Sequence, residues 1–418
     1  MQLVAYGAQD IYLTGNPQIT FFKVVYRRHT NFSMEAIEQT LAGNAGTSAT
    51  QTCTISRNGD LVSNMWLDVV LNIGTIAGLN ARQSYMAYTN NTGHAFVKEC
   101  EVEIGGQKID RHYSQWLDIY NELNDNDRSE WLGLNKHSAA QSYLKRNNTK
   151  RAAGLPSTTT GGMDALQLYV PLIFWFCRNP GLALPLIALQ YHEVKIKLIT
   201  RDLNALITSK GTLSGVANVK PTVALWADYI YLDTDERRRF AQVSHEYLIE
   251  QLQKGSGAGA ATSKNLKLNF NHPVKELIWV VQQDLLATEI TGASGTRDAS
   301  KNVAGTVLNG NDYFNYVSGA SGTAETIGGV VGTETFGKAK LVLNGHDRFA
   351  PRNASYFRTC QPLQAGHKVP EKHIYNYSFA LKPAEHQPSG TCNFSRIDNA
   401  KLDGDLSGTV GAATITVY

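Results

Sequence analysis

Two His-Glu dipeptides are the residues of this chain best suited by type to metal binding or acid–base chemistry. They are His192-Glu193 and His245-Glu246, and each sets an imidazole beside a carboxylate. A zinc site built on one helix needs a second histidine four residues further on, and both dipeptides have isoleucine there. His192 also shares the face of an alternating segment with Val194 and Ile196. The pattern therefore favours a hydrogen-bonded core histidine over a metal ligand.

Other stretches approach known ligand or catalytic motifs without completing them. Asp125-Asn-Asp127 resembles the start of a calcium loop, but Glu130 and Lys136 occupy the positions that need glycine and glutamate. The glycine-rich stretch 255–259 lacks the Gly-Lys-Ser/Thr of a phosphate loop and is predicted to be a flexible connector. No Gly-x-Ser-x-Gly elbow is present. We predict no catalytic residue, no cofactor-binding residue and no metal ligand, and therefore no enzyme.

The cysteines indicate a reducing compartment. They are widely spaced, odd in number and without a Cys-x-x-Cys pair, so neither a zinc ribbon nor a disulfide framework is predicted. The cysteines are Cys53, Cys100, Cys177, Cys360 and Cys392.

Length and composition favour a globular protein with two cores. The chain has 418 residues, 42% of them hydrophobic and 18% charged, which exceeds what one ordinary β-sandwich needs. The formal net charge is only +3, and the first basic residue is Lys23. Because nucleic-acid binding relies on clustered Lys and Arg, no direct nucleic-acid contact is expected. No apolar run reaches the length of a membrane span.

Residues 168–199 hold the clearest strand pattern. A continuous apolar run at 170–176 leads into the turn residues Arg-Asn-Pro-Gly at 178–181. Val194, Ile196 and Leu198 then alternate with charged residues, which is the spacing of a half-buried strand. The segment predicts two strands of an antiparallel protein joined by a proline-bounded loop, with the aromatic residues at 174–176 in the core.

Similar patterns predict strands along the whole chain and a few short helices. Asn58-Gly59 and Gly105-Gly106 are turn signals within strand-rich sequence. Further strands are predicted at 19–26, 53–71, 100–109, 223–232, 246–253, 266–270 and 277–282. Helices are predicted at 1–13, within 117–145 and at 233–240, the last with acids first and bases last, as a helix dipole favours.

Segments of the first half recur in the same order in the second half. The pairs are 55–70 with 268–281, 104–112 with 343–349, and 169–197 with 377–401. Matches in one order predict two copies of a β domain. Eight or so strands per copy favour a jelly roll over an Ig-like sandwich. The predicted fold is all-β: two tandem eight-stranded antiparallel jelly rolls, a double jelly roll, with short helices in loops.

The same patterns set the expected domain boundaries. We predict an N-terminal arm at 1–18, jelly roll 1 at 19–232, a helical linker at 233–240 and jelly roll 2 at 241–418.

A set of motifs spread over nearly the whole chain carries a family resemblance. They are QLVAYGAQD (2–10), YLTGNPQITFF (12–22), Arg27-Arg28, ISRNGD (55–60), PGLALP (180–185), QYHEV (190–194), HEYLIEQ (245–251), Asn344-Gly345, Asp347-Arg348-Phe349 and SGTCNFSRID (389–398). Together they resemble the double jelly-roll major capsid proteins of large icosahedral double-stranded DNA viruses, of the phycodnavirus, iridovirus and mimivirus kind. Members of that family typically continue past a strand like 413–418, so the closing strand here is expected to be trimmed or to differ.

The resemblance implies a structural role in the virion. The chain would be a late protein, assembled in the host cytoplasm into a capsid shell. Three copies would form a homotrimeric, pseudo-hexagonal capsomer. The implied partners are neighbouring capsomers, penton and minor capsid proteins, and an inner membrane that lies beneath the shell and is not spanned.

The alternative is a carbohydrate-binding, lectin-like jelly roll, because lectins share the architecture. A sugar site needs aromatic and acidic residues clustered in loops. The loop at 291–337 offers little beyond Tyr313, Phe314 and Tyr316.

Two long excursions, 117–162 and 287–337, separate the repeat-matched segments. Since the flanking strands must still pair, each excursion is expected to leave and re-enter at one end of its sandwich. Both are expected to project on the outward face of the assembly. Shortening 294–325 to a Gly/Ser linker is accordingly expected to leave folding intact.

We expect the purified chain not to bind duplex DNA at about 150 mM salt. The reason is the near-neutral charge and the absence of a basic residue before Lys23. Passage over a DNA column at that salt, beside an underivatised column as control, checks this. Selective retention by the DNA column contradicts it.

Overall fold

The architecture is taken from a computed structural model. It describes residues 31–45, 48–71, 75–76, 86–89, 91–124, 161–162, 166–209, 221–259, 263–289, 311–316, 334–406 and 412–418. The predicted arm at 1–18, the helix at 1–13, the strand at 19–26 and the calcium-like Asp125-Asn-Asp127 lie outside these residues. So do the greater parts of the two long excursions.

The first half consists mainly of eight antiparallel strands. They are β1 (Phe32–Gln39), β2 (Thr50–Thr54), β3 (Leu61–Leu71), β4 (Val97–Ile104), β5 (Gln107–Tyr113), β6 (Leu166–Pro171), β7 (Val194–Thr200) and β8 (Thr222–Leu232). Sheet A1 has the order β1-β8-β3-β6, and sheet B1 has the order β2-β7-β4-β5. The short strand Leu184–Pro185 also pairs with β3, beside β6. The two sheets enclose one apolar core.

The second half repeats this arrangement. Its strands are β9 (Gly255–Gly259), β10 (Ser263–Lys267), β11 (Glu276–Gln283), β12 (Phe336–Leu343), β13 (His346–Asp347), β14 (Tyr375–Ser378), β15 (Ala400–Leu406) and β16 (Ala413–Val417). Sheet A2 has the order β9-β16-β11-β14, and sheet B2 has the order β10-β15-β12-β13. Every strand thus occupies the place of the strand numbered eight lower. The predicted double jelly roll is confirmed, and β16 fills the closing position of its sheet.

Short elements connect these strands. The remaining strand pairs are Thr75–Ile76 with Gly161–Gly162, Met86–Tyr88 with Ile207–Ser209, Pro273–Val274 with Cys392–Asn393, and Arg352–Asn353 with β12. The helices are α1 (Thr92–Phe96), α2 (Ser114–Leu123), α3 (Thr234–Gln242), α4 (Asp284–Ala287) and α5 (Gln361–Gln364), with a π turn at Tyr356–Cys360. Turns of 3-10 helix occur at Trp175–Cys177, Pro180–Leu182, Leu203–Leu206 and Phe394–Arg396. None of the helices described is long and apolar enough to cross a membrane.

Alternating patterns predicted strands correctly. In β7, Val194, Ile196 and Leu198 are buried while the residues between them are partly exposed. The turn between β4 and β5 is made by Gly105 and Gly106, whose φ angles of 61° and 83° suit glycine. The predicted linker helix is α3.

The uniformly apolar run at 170–176 was only partly a strand. Strand β6 ends at Pro171, and the chain then turns through the 3-10 segment Trp175–Cys177. Nearly all residues of this run are buried, so apolar and polar residues do not alternate along it. Without alternation, the sequence cannot distinguish a strand from a buried turn. Phe174 stacks on His112 with ring centroids 4.6 Å apart, so the aromatic residues do lie in the core as predicted.

The interpretation of His192 as a core residue is wrong. Strand β7 begins at Val194, and His192 is exposed in the preceding turn. Its backbone N–H donates to the Leu189 carbonyl at 3.1 Å, which curls the chain before the strand starts.

Two assignments near the start of the second half are also wrong. Residues 246–253 were predicted to be a strand but have no regular structure. The glycine-rich stretch 255–259 was predicted to be flexible but forms strand β9. Its glycines allow a close approach from inside the sandwich. A Cβ on Gly257 would lie 2.7 Å from Leu266 Cδ1, and one on Gly255 would lie 3.4 Å from Phe270 Cζ. Glycine is used here because bulky neighbours fill the space of its side chain.

The matched tryptophans of the repeat face opposite ways. Met65 and Leu67 point into the first core, so Trp66 lies on the outer face of β3. Trp279 on β11 is buried in the second core. A strand has a period of two, so the segment similarity is offset by an odd number of residues from the structural equivalence.

Candidate functional site: the interface between the two jelly rolls

The residues described first are the imidazoles, carboxylates and thiols that the sequence singled out. No group of three or more His, Cys, Asp or Glu side chains within them could hold a metal ion. His245 is exposed, stacks on Phe240 and bonds through Nε2 to the Phe240 carbonyl at 3.0 Å. The cysteines are free thiols, and burial raises the pKa of Cys53 to about 11 and that of Cys177 to about 12. Several buried and partly buried ion pairs lie instead where the two jelly rolls meet.

A buried ion pair joins helix α2 of the first roll to the second roll. Lys372 Nζ lies 2.5 Å from Asp118 Oδ1, and the two side chains are 1% and 2% exposed. Asp118 also accepts from Asn91 Nδ2 and, at 3.2 Å, from the Tyr316 hydroxyl. Glu122 lies 3.8 Å from Lys372. Removing charges from water costs several kcal/mol per ion, so this pair depends on the hydrogen bonds around it.

A second bridge runs through Glu250. Residues 243–254, here called the connector, follow α3 and carry the HEYLIEQ motif. Glu250 Oε2 lies 2.5 Å from Arg178 Nη1 of the first roll, and its Oε1 pairs with Lys275 of the second. The Arg178 guanidinium also lies 5.1 Å from the centre of the Tyr120 ring. One carboxylate therefore ties both rolls to the connector.

Two buried aspartates hold α3 and the connector on the first roll. Asp60, which closes the ISRNGD motif, accepts from the Leu232 N–H at 2.9 Å and from Arg237 Nε at 2.9 Å. Asp110 accepts from the Leu252 N–H at 2.9 Å, and its other oxygen lies 2.8 Å from His112 Nε2. These contacts hold the chain segment between the two rolls, residues 233–254, on the first roll. They explain in structural terms why Asp60 closes the ISRNGD motif.

A piece of the second roll is built into the first. Residues 311–316 leave the excursion that follows β11 and join the first apolar core. The Tyr313 hydroxyl donates to the Ala205 carbonyl at 2.9 Å, and the Arg201 guanidinium lies 4.1 Å from the centre of its ring. Burial lowers the pKa of Arg201. Tyr316 is fully buried, and burial raises its pKa well above the usual value.

The interpretation of 287–337 as a surface excursion is therefore wrong for residues 311–316. The aromatic residues considered as a sugar platform, Tyr313, Phe314 and Tyr316, are buried between the rolls. They contact the protein itself and present no ring to a sugar at the surface.

A cleft of about 740 Å³ remains between the rolls beneath the connector. Apolar walls come from Trp116 and Tyr120 of the first roll and from Leu277 and Tyr418 of the second. Trp116 and Tyr418 lie with ring centroids 5.5 Å apart. The cleft belongs to the interface because both halves line it.

Sequence reasoning missed Asp118 and Lys372. Trp116, Ile119 and Leu123 are apolar residues at helical spacing in α2, and Asp118 lies among them. An acidic residue inside a buried helix face is a signal for a partner, but no local pattern identifies one 254 residues away.

We expect Lys372→Met to lower the free energy of unfolding by about 3–5 kcal/mol, because it leaves Asp118 buried without its counter-ion. Urea denaturation followed by tryptophan fluorescence measures this loss. The double variant Asp118→Asn/Lys372→Met should lose less than the sum of the single variants. Lys382→Met, at an exposed pair with Glu385, is the matched control and should change stability little. Additive losses in the double variant would contradict the assigned coupling.

We expect the replacement of 294–325 by a Gly/Ser linker to lower the unfolding temperature, the opposite of what the sequence suggested. It deletes three buried aromatic residues, and truncating one large aromatic side chain in a core costs about 3–5 kcal/mol. Differential scanning fluorimetry measures the shift. A control that shortens only 294–309 and keeps 311–316 should melt close to the parent. Equal melting of both variants would refute a core role for this segment.

Comparisons with known proteins agree with the fold. A family model described as "Major capsid protein N-terminus" matches residues 20–233, and one described as "Large eukaryotic DNA virus major capsid protein" matches residues 236–418. The major capsid protein of Pyramimonas orientalis virus is 46% identical over 441 residues, covering 100% of this chain and 94% of its own. That of Paramecium bursaria Chlorella virus 1 is 43% identical, covering 96% of this chain and 85% of its own.

Solved structures give the same result. A chain of the PBCV-1 virus capsid is 37% identical with a TM-score of 0.69, and the match covers 95% of each chain. The Faustovirus major capsid protein, at 14% identity, shares the fold with a TM-score of 0.73, covering 99% of this chain and 93% of its own. The lectin-like alternative is not favoured. The chain belongs to the major capsid proteins of large eukaryotic DNA viruses, and it is a structural protein of the virion's capsid shell.

Proposed function

We propose that the chain acts as a homotrimer, a pseudo-hexagonal capsomer that tiles an icosahedral shell. The observation that carries this is the strand-for-strand repetition of the two jelly rolls, with sheets A1 and A2 in the same order. Three chains with two similar lobes each supply six lobes around one axis. The buried contacts between the rolls support the proposal. They fix the angle between the two lobes of a chain, and a six-lobed ring needs the same angle in every chain.

Exposed apolar side chains on the single chain support further burial in an assembly. Among them are Phe32 and Met34 on the edge strand β1, and Val243, Leu248 and Ile249 on the connector. An exposed edge strand with apolar residues is a surface that proteins normally cover.

The other partners follow from the same role. We propose neighbouring capsomers, penton proteins and minor capsid proteins as contacts, and an inner membrane beneath the shell that the chain does not span. Direct nucleic-acid binding and enzymatic activity are not part of the proposed function. The proposed division remains an arm at 1–18, jelly roll 1 at 19–232, a linker at 233–240 and jelly roll 2 at 241–418. The position of α3 between the two sets of strands supports it.

We expect a particle mass near three times 45.9 kDa for the purified chain at micromolar concentration. Size-exclusion chromatography with multi-angle light scattering measures it. Dilution over a hundredfold range distinguishes a stable trimer from a weak one. A stable monomer throughout would overturn the capsomer model.

A further inference from the structure

The helical segments that follow the fifth strand of each roll occupy equivalent places. Helix α2 lies between β5 and β6 in the first roll. In the second roll, the π turn Tyr356–Cys360 and α5 lie between β13 and β14. We call residues 356–364 the roll-2 helix. Since the strand orders coincide, each helix stands at the same corner of its own sandwich.

Within the chain, α2 covers the outer face of sheet A2. Ile278 and Val280 point away from the second core and are buried with the first-half residues. The Tyr418 hydroxyl donates to Gln115 Oε1 at 2.9 Å, and Gln115 Nε2 donates to Gln282 Oε1 at 3.2 Å. The ring of Trp116 packs against Tyr418. One roll thus presents its helix to the outer sheet face of the other.

The equivalent outer face of sheet A1 is aromatic and partly exposed: Trp66 and Trp226 are half-buried, and Tyr169 and Met34 are exposed. Trp66 on β3 lies directly opposite Trp226 on β8. Tyr169, opposite the next outward residue Asp68, is 40% exposed. Met34 on the edge strand is also exposed. This face carries large side chains of the kind that α2 covers on sheet A2.

The outer face of sheet A1 is acidic, and the segment that contains the roll-2 helix is rich in arginine. The outward residues of β1, β3, β6 and β8 include three acids and no Lys or Arg. The acids are Glu38, Asp68 and Asp228. Residues 348–370, which include the roll-2 helix, contain four basic residues and no Asp or Glu. The basic residues are Arg348, Arg352, Arg358 and Lys368. Arg358 is already paired with Glu334 at 2.7 Å, and the Lys368 N–H donates to the Leu123 carbonyl of α2, so Arg348 and Arg352 are the charges assigned to the contact.

The roll-2 helix also has an exposed apolar residue. Leu363 is 69% exposed on α5, while Phe357 and Pro362 anchor the other side of the helix in the second roll. Arg352 lies over the Tyr356 ring at 4.4 Å, at the start of the helix. The segment is therefore fixed on its own roll and presents one exposed leucine.

We propose that the roll-2 helix of one copy packs on the outer face of sheet A1 of a neighbouring copy, with Leu363 against the surface of Trp66, Trp226 and Tyr169. This contact continues the interface that α2 makes with sheet A2 inside each chain. Each copy has one such helix and one such face, so the contact is heterologous and closes a ring when the rotation per copy allows it. The proposal rests on the proposed trimer and names the surfaces that build it.

Substitutions on the two sides of the contact test it. Leu363→Glu places an acid against an acidic face, and Tyr169→Glu adds an acid to that face. Both side chains are exposed in the single chain, so the variants should fold. Each should raise the concentration at which half of the trimer dissociates by at least about tenfold, which is a hundredfold change in the dissociation constant, or about 2.8 kcal/mol per trimer. Leu381→Glu, at a leucine 78% exposed elsewhere on the second roll, is the matched control and should remain trimeric.

A mixing experiment tests the direction of the contact. A Leu363→Glu chain keeps an intact A1 face, and a Tyr169→Glu chain keeps an intact roll-2 helix. Mixed in equal amounts, they should form a species near twice 45.9 kDa that neither forms alone, measured by light scattering at the same total concentration. Far-ultraviolet circular dichroism and the melting temperature verify that each variant is folded.

The outcomes separate the surface from the oligomer. If the parent is trimeric and folded Leu363→Glu and Tyr169→Glu are equally trimeric, the proposed surfaces are wrong and the trimer stands. Equal dissociation by the Leu381→Glu control, or a mixture without a heterodimer, also overturns the assignment. If the parent itself is monomeric, the proposed function fails first.

Discussion

The buried pair of Asp118 and Lys372 is the contact on which the relative placement of the two rolls depends. Apolar burial between the rolls is extensive but non-directional, so by itself it would tolerate small rotations. An ion pair that is 1–2% exposed does not, because any displacement leaves a charge without a partner in a medium of low dielectric constant. Asn91 and Tyr316 complete the surroundings of the carboxylate. The pair contributes specificity of geometry more than net stability.

The same placement explains why a segment of one roll lies inside the other. Residues 311–316 bring Tyr316 to Asp118 and Tyr313 to Arg201, so the excursion from the second roll supplies a hydrogen bond and a cation–π contact to the first roll. Glu250 works in parallel at the connector, where it meets a cation from each roll. The two halves therefore share one interface of charged and aromatic groups, and neither roll is complete without the other.

Local pattern was enough for much of the fold and for little of the interface. Strand β7 and the turn at Gly105-Gly106 follow from period-two spacing and from glycine's access to positive φ. Strand β9 could not be found in this way. Leu266 and Phe270 occupy the space that side chains at Gly257 and Gly255 would need, and this packing is not visible in the local sequence. His192 was misplaced because an alternating pattern does not mark where the strand begins. Asp118 and Lys372 lie 254 residues apart, and no pattern in either local sequence identifies the other residue as its partner.

A chain with two jelly rolls needs fewer contacts between separate molecules to build a ring of six lobes. In the proposed trimer, half of the contacts between lobes are made inside a chain, where a covalent connection gives an effective concentration in the millimolar range or above. Those contacts can carry buried charges, since partners such as Asp118 and Lys372 always meet. The remaining contacts must form between separate molecules and in one direction only. In the proposed contact, an acidic, aromatic sheet face meets a helix that has one exposed leucine and begins beside Arg352. Opposite charges favour this pairing, and like charges disfavour the pairing of one acidic face with another.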